Sequence, residues 1–232
     1  MNRWKASGLH LLLSLLVIGG IALCAFLAWY PYGLYRIAGQ DRLLLIMLGI
    51  DLVAGPLLTL VVYKTGKPSL RFDLAVIALC QLGFLGYGLH TLWQSRPVFL
   101  VASDMRFNLV FANEIDSEAL AEAPRPEWRR LSWLGPQLVG VRPPEDEKQR
   151  QDLLFAFMST GVDLDKLPRY YVAYTGIAPE LLSHAEDPWR SESGEIAGGK
   201  VPLRKVPVVS RYNTGWMLVD ARTGRPVRVM VE

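Results

Sequence analysis

Apolar positions are distributed very unevenly along this chain. Three long apolar segments come first, at about residues 7–30, 43–63 and 72–93, and each meets the roughly 20 residues that a helix needs to cross a bilayer. After the third segment, short apolar runs alternate with stretches rich in Pro, Arg, Asp and Glu. The pattern predicts a transmembrane three-helix bundle at residues 1–95 and a folded extracytoplasmic domain at residues 96–232.

The first apolar segment has to be distinguished from a cleaved signal peptide, because Arg3 and Lys5 precede it. Its apolar run is longer than the roughly 7 to 15 residues of a signal-peptide core, and no small-x-small cleavage site follows it. We therefore interpret the segment as an uncleaved helix.

Positive charge in the short flanks predicts the orientation, since Lys and Arg are enriched on the cytoplasmic side of membrane helices. One side carries Arg3, Lys5, Lys64, Lys67 and Arg71, and the other carries Arg36, Arg42 and Arg96. The N-terminus is therefore predicted in the cytoplasm and the C-terminal domain outside it. The aromatic side chains predicted to form an interfacial belt at the outer boundary are Trp29, Tyr30, Tyr32, Tyr35 and Trp93.

The domain has the pattern of a small α+β fold. Its predicted strands are a hairpin at residues 98–102 and 106–112 and three C-terminal strands at 206–211, 216–220 and 226–231. An amphipathic segment at 145–159 predicts the main helix, a shorter helix is expected at 179–184, and the polar segment 187–200 is expected to be a mobile loop. We expect an antiparallel sheet of about five strands.

Polar residues within the predicted spans are candidates for a functional site, because polar groups are costly in hydrocarbon. Asp51 lies deep in the second segment, and Gln81 in the third segment lies within reach of its level. Pro56 removes the hydrogen-bond donor that the carbonyl of Leu52 would use, and Gly55 precedes it. These residues predict either a buried polar contact that fixes helix packing, which we favour, or a direct contact with a client protein.

Gly83 and Gly86 leave one stretch of the third segment without bulky side chains. Small residues allow close helix contact in membranes. The stretch is either the internal seam of the bundle, which we favour, or a groove for a foreign helix.

Catalytic and nucleic-acid-binding functions are not favoured. Asp51 and Asp73 would lie about 16 Å apart in depth by helix rise, too far to share a proton as in an aspartyl protease. We interpret Asp73 as a helix N-terminal acid within reach of His10, and we expect His10 itself at the interface. Nucleophile, phosphate-loop and Cys/His ligand motifs are missing from the sequence, and the net charge is only +3. We expect no enzyme activity, cofactor, metal, small-molecule substrate or nucleic-acid partner.

The sequence resembles the TfpX/TfpZ family of type IV pilin accessory proteins. The stretches that carry the resemblance are Arg3-Trp4-Lys5-Ala6, Trp29-Tyr30-Pro31, Gly49–Leu60 (GIDLVAGPLLTL), Phe72–Leu79 and Arg96-Pro97-Val98. The match is close in the first half of the chain and loose in the later domain. The acid placed one turn before Gly-Pro is its most specific feature.

The resemblance implies a bacterial inner-membrane protein with a periplasmic domain, which assists the accumulation, chaperoning or assembly of a specific pilin. It implies a pilin subunit and the lipid bilayer as partners. The alternative is a membrane-anchored periplasmic sensor or binding module. A sensor would need a cytoplasmic output domain, and the predicted cytoplasmic portions of this chain, the N-terminal tail and residues 64–71, are too short to hold one.

Overall fold

The computed structural model describes residues 2–39, 49–188, 193–196 and 199–231. The chain divides into a helical unit (Met1–Leu27 with Gln40–Gln94) and a sheet unit (Ala28–Gly39 with Ser95–Glu232). In chain order the described helices are α1 (Arg3–Trp29), α2 (Tyr35–Ala38), α3 (Gly55–Val62), α4 (Leu70–Gln94), α5 (Ser117–Ala121), α6 (Glu147–Thr160) and α7 (Tyr174–Ser183).

Among its described residues, the helical unit contains two helices that are long and apolar enough to cross a membrane. These are α1, with 27 residues, and α4, with 25. The second predicted span is represented by a π-helical turn (Ile50–Ala54) that continues into α3. Residues 43–48 of that predicted span lie outside the described part of the chain. The structure therefore supplies two of the three predicted helices at full length.

The surfaces of α1 and α4 are largely apolar and exposed. Leu16, Leu79 and Tyr87 are examples whose side chains make little contact within the unit. In water such surfaces would be unfavourable, whereas in hydrocarbon they cost nothing. The helical unit is thus compatible with anchoring in a bilayer.

The sheet unit is built on one mixed sheet. Its described strands are β1 (Pro97–Ala102), β2 (Phe107–Phe111), β3 (Gln137–Val141), β4 (Tyr171–Val172), β5 (Ser193–Ile196), β6 (Gly199–Val209), β7 (Thr214–Asp220) and β8 (Pro226–Met230). The order is β4-β3-β1-β2-β6-β7-β8, with β5 paired to β6. The predicted hairpin β1–β2 and the C-terminal antiparallel pairs β6–β7 and β7–β8 are confirmed.

The prediction of a purely antiparallel sheet of about five strands is wrong. The strand β3 pairs with β1 in parallel, and β6 pairs with β2 in parallel. Parallel neighbours need a crossover connection of a dozen or more residues. The chain between β1 and β3 and the chain between β2 and β6 are both longer than this, so β3 and β6 can enter the sheet parallel to their neighbours.

Both faces of the sheet are covered, so β1 is buried along its whole length. On one face, Phe107, Leu109 and Met217 pack against Ile177 and Leu181 of α7. On the other face, the side chains that cluster include Phe99, Val110, Trp128, Val139 and Tyr171. Strands that are buried on both faces read as continuous apolar runs, as β1 does.

The prediction for the main helix needs correction. The structure forms it as α6, but Leu154, Phe155, Phe157 and Met158 are exposed, and Met158 keeps 76% of its surface. The helix that covers the sheet is α7, which begins at Tyr174 rather than at the predicted residue 179. The apolar pattern therefore predicted the helix α6 correctly, but it did not predict which helix packs against the sheet.

The segment between α1 and the second predicted span belongs to the sheet unit. Leu34, Ile37 and Ala38 are fully buried in the same core as Met217 and Val229. The hydroxyl of Ser210 donates a hydrogen bond to the carbonyl of Ile37 (2.6 Å). Residues 28–39 are therefore part of the domain core.

Two further predictions need correction. Tyr30 was predicted in an interfacial belt with Tyr32 and Tyr35, but it is buried in the core of the sheet unit, because α2 folds back onto that core. The segment 187–200 was predicted to be a loop, whereas β5 and the start of β6 lie within it and pair with each other.

Candidate functional site

A polar cluster of His10, Thr59 and Gln81 lies inside the helical unit. The ring nitrogens of His10 are 2.6 Å from Thr59 Oγ1 (Nδ1) and 2.6 Å from Gln81 Oε1 (Nε2). An amide oxygen only accepts, so Nε2 carries a proton and donates to Gln81, while Nδ1 shares a hydrogen bond with the Thr59 hydroxyl. Both ring nitrogens of His10 are therefore bonded, and the cluster links α1, α3 and α4.

The glycine before Pro56 is what allows this contact. A Cβ at Gly55 would lie 2.0 Å from Gln81 Nε2, so any larger residue would push the amide away from His10. One turn of α1 earlier, the Ser7 hydroxyl donates to the carbonyl of Pro56 (2.9 Å). Gly55 and Pro56 thus mark the closest approach of α3 to its two neighbours.

The structure brings together three of the six predicted site residues: Gly55, Pro56 and Gln81. Asp51 lies in the π-helical turn, but its side chain is outside the described residues, so its predicted contact with Gln81 stays a prediction. Gly83 and Gly86 are exposed, and within the described part of the helical unit no atom lies within 4 Å of a Cβ added at either position.

His10 and Thr59 were not predicted as members of the cluster. His10 was expected at the interface or near Asp73, but Asp73 instead pairs with Lys67 Nζ (2.6 Å) and accepts from the Ser69 hydroxyl (3.1 Å). The spacing of Ser7, His10 and Ser14 on one helical face was the signal that could have placed His10 inside the bundle.

A groove opens beside the polar cluster, between α1 and α4. It has a volume of roughly 230 Å³. Its lining residues are His10, Leu13, Ser14, Val17, Ile18, Ala78, Gln81, Leu82 and Leu85. Its walls are apolar, and its polar groups come from His10, Ser14 and Gln81. A surface of this kind suits an apolar helix that carries a polar group near one level.

Among the described residues of the sheet unit, two acids are buried, Asp165 and Asp220. Asp165 lies in a short 3₁₀ turn (Leu164–Lys166). Its Oδ1 atom has no hydrogen-bond partner among the residues described. Burial, and then the charge of nearby Asp163, raise the pKa of Asp165 to about 6. Tyr171 donates its hydroxyl to the Asp165 backbone carbonyl (2.6 Å) and so fixes the turn on the core.

Comparison with known proteins gives consistent matches. The family model described as "Fimbrial assembly protein FimB" matches residues 1–39. The fimbrial assembly protein of Dichelobacter nodosus serogroup I is 28% identical over 93% of this chain and 89% of that protein, and the serogroup E1 protein has the same identity and coverage. The protein of serogroups C1 and C2 is 36% identical over 99 residues, or 42% of this chain and 76% of that protein. No solved structure shows significant similarity to the chain.

Proposed function

We propose that this chain, which belongs to the fimbrial assembly protein family, is an accessory protein of type IV fimbrial assembly in the bacterial inner membrane. Its partner is a pilin subunit, which it shields or positions before the subunit enters the fibre. Its role is non-catalytic, because its contribution is a binding surface rather than a reacting group.

The groove beside the polar cluster carries this proposal. A pilin waiting in the membrane presents an apolar helix, and the groove offers that helix an apolar wall formed by residues such as Leu13, Ala78 and Leu85. Lipid is as apolar as the helix, so recognition has to come from close packing and from polar contacts. Ser14 lines the groove and supplies such a polar group, whereas His10 and Gln81 bond each other and keep the groove in shape.

We also propose three membrane spans, with the N-terminus in the cytoplasm and the sheet unit in the periplasm. Residues 28–39 share one core with residues 95–231, so both stretches lie on the same side of the membrane. The chain between them therefore crosses the bilayer an even number of times. Because α4 is long enough for one crossing, a second crossing within residues 40–63 completes the pair.

Cysteine labelling of the full-length chain tests this topology. In a background with Cys24→Ala and Cys80→Ala, a membrane-impermeant maleimide should label Tyr35→Cys and Asp104→Cys in intact spheroplasts, because both side chains are exposed on the sheet unit. It should label Thr65→Cys only after permeabilisation. Labelling of Tyr35→Cys and Asp104→Cys from opposite sides would exclude the three-span topology.

Deletion of the gene in its host tests the proposed function. Surface fimbriae of the cognate pilin should fall strongly, whereas cleavage of prepilin should continue, since the protein is not the peptidase. Electron microscopy and immunoblots of sheared fimbriae measure the first, and the mobility of cell-associated pilin measures the second. Accumulation of uncleaved prepilin would contradict the accessory role.

Complementation with two matched variants tests the groove itself. Ala78→Phe fills the groove, while Cys80→Phe adds the same side chain to an exposed position on a different face of α4. We expect Ala78→Phe to leave fimbriation as low as in the deletion strain, and Cys80→Phe to restore it, at equal protein levels. Equal restoration by both variants would exclude the groove as the pilin site.

A further inference from the structure

Two large apolar side chains lie side by side at the tip of the loop that precedes β3. Trp133 keeps 73% and Leu134 keeps 79% of its surface exposed. By contrast, Trp128, only five residues earlier, is buried in the core. A paired Trp-Leu tip of this kind is costly to leave in water, so the loop is expected to have an apolar surrounding.

The loop is fixed to the two places where the chain leaves the long apolar helices. Trp29, the last residue of α1, donates its indole N–H to the Trp133 carbonyl (2.9 Å). Arg96, two residues after α4, donates from Nε to the Ser132 carbonyl (3.0 Å).

The backbone of the loop also passes close to the end of α1. Gly135 has a positive φ of 67°, and a Cβ there would lie 3.2 Å from the carbonyl oxygen of Ala28. A glycine at this position therefore allows the loop to lie directly against the end of α1.

We infer that Trp133 and Leu134 insert into the interfacial layer of the bilayer that α1 and α4 cross. The helix ends mark the depth at which hydrocarbon gives way to headgroups, and the loop is held at those ends. Trp favours this layer, because its ring is apolar and its N–H is polar, and Leu adds apolar area to the acyl side. The loop thus acts as a lipid anchor for the sheet unit. This rests on the proposed membrane insertion but not on the identity of the client.

Fluorescence quenching in vesicles tests the anchor. Full-length protein lacking Cys24 and Cys80 would carry a single environment-sensitive NBD label at Leu134→Cys and would be reconstituted in phosphatidylcholine–phosphatidylglycerol vesicles. We expect blue-shifted emission and several-fold stronger quenching by lipid spin-labelled high on the acyl chain than by iodide.

Two matched labels make the result interpretable. Met105→Cys labels another exposed apolar residue, in the turn at the far end of β1, about 17 Å along the strand from Pro97. It should be quenched by iodide and not by the lipid label. Leu79→Cys, on the exposed face of α4, should be quenched by lipid and would report failure of membrane insertion itself.

Three outcomes would overturn the anchor while Leu79→Cys reports insertion. Water-like emission at residue 134 would do so, and so would quenching equal to that at residue 105. Protection from iodide without quenching by lipid would mean that a protein surface covers the loop instead.

Discussion

Ile37→Ala should lower the free energy of unfolding of the sheet unit by about 2–5 kcal/mol, the usual range for removing a buried aliphatic side chain. Ile37 is fully buried, and its Cγ2 atom would be 3.2 Å from a Cβ added at Gly215 in β7. The neighbouring strands are rigidly paired, so the cavity left by alanine cannot close. Chemical denaturation of the full-length protein in detergent, followed by near-ultraviolet circular dichroism, measures the change.

Arg36→Ala is the matched control, because Arg36 is the preceding residue of the same helix and is exposed. Its contact with the Tyr35 ring is on the surface, so its removal should change stability by no more than about 0.5 kcal/mol. If Ile37→Ala were as stable as Arg36→Ala, residues 28–39 would not belong to the domain core.

Near neutral pH, Asp165→Asn should raise the free energy of unfolding of the sheet unit above that of the wild type. In acid the difference between the two proteins should be smaller. Because the pKa of Asp165 is raised to about 6 in the folded chain, the folded state disfavours the charged carboxylate. Well below pH 4 the acid is protonated in both states, and the penalty is absent. The penalty grows as the pH rises from about 4 to about 6, and above that it levels off at no more than about 3 kcal/mol. Asparagine has no charge to bury, so its stability curve lacks this decline.

Unfolding free energies of wild type and Asp165→Asn between about pH 4 and 7.5 give the measurement, and the advantage of the variant should increase over that range. Asp104→Asn provides the control, since Asp104 is exposed in the turn between β1 and β2. Its pH profile should follow that of the wild type. Parallel profiles for Asp165→Asn and wild type would mean that folding does not raise the pKa of Asp165.

The parts of the fold that sequence predicted are those controlled by local signals. Residues 222–224 separate β7 from β8 as expected, and residues 103–105 separate β1 from β2. The turn between β6 and β7 comes slightly earlier than the expected Asn213-Thr214-Gly215, at residues 210–213, because Thr214 and Gly215 already belong to β7. Hairpins follow from such turns because the paired strands are adjacent in sequence.

The remaining features depend on contacts between distant parts of the chain. The parallel pairing of β3 with β1 is set by packing after a long crossover, which local patterns do not record. The apolar face of α6 predicted burial, but α7 occupies the sheet instead. Leu34, Ile37 and Ala38 have the i, i+3, i+4 spacing of a helix face, yet the aromatic residues around them favoured an interfacial interpretation.

The candidate site was predicted in part for a similar reason. Gln81 was marked because a polar side chain is costly in hydrocarbon. Gly55 and Pro56 were marked because the proline removes a helix hydrogen bond. The partner of Gln81 could not be deduced, since histidine near a helix end is as compatible with the interface as with the bundle. The depth of His10, about 10 Å from the start of α1, gives it access to Thr59 and Gln81.

The early segment in the domain core has a consequence for biosynthesis. The hydrogen bond from Ser210 to Ile37 joins residues 173 positions apart, so the piece of the core synthesised first waits for the piece synthesised nearly last. Contacts of such long range slow folding. During translation, α2 remains without its sheet until β6 to β8 have emerged. In the topology proposed above, the domain could close only in a chain whose intervening segments had been inserted correctly, and a chain with a misplaced segment would keep an open core.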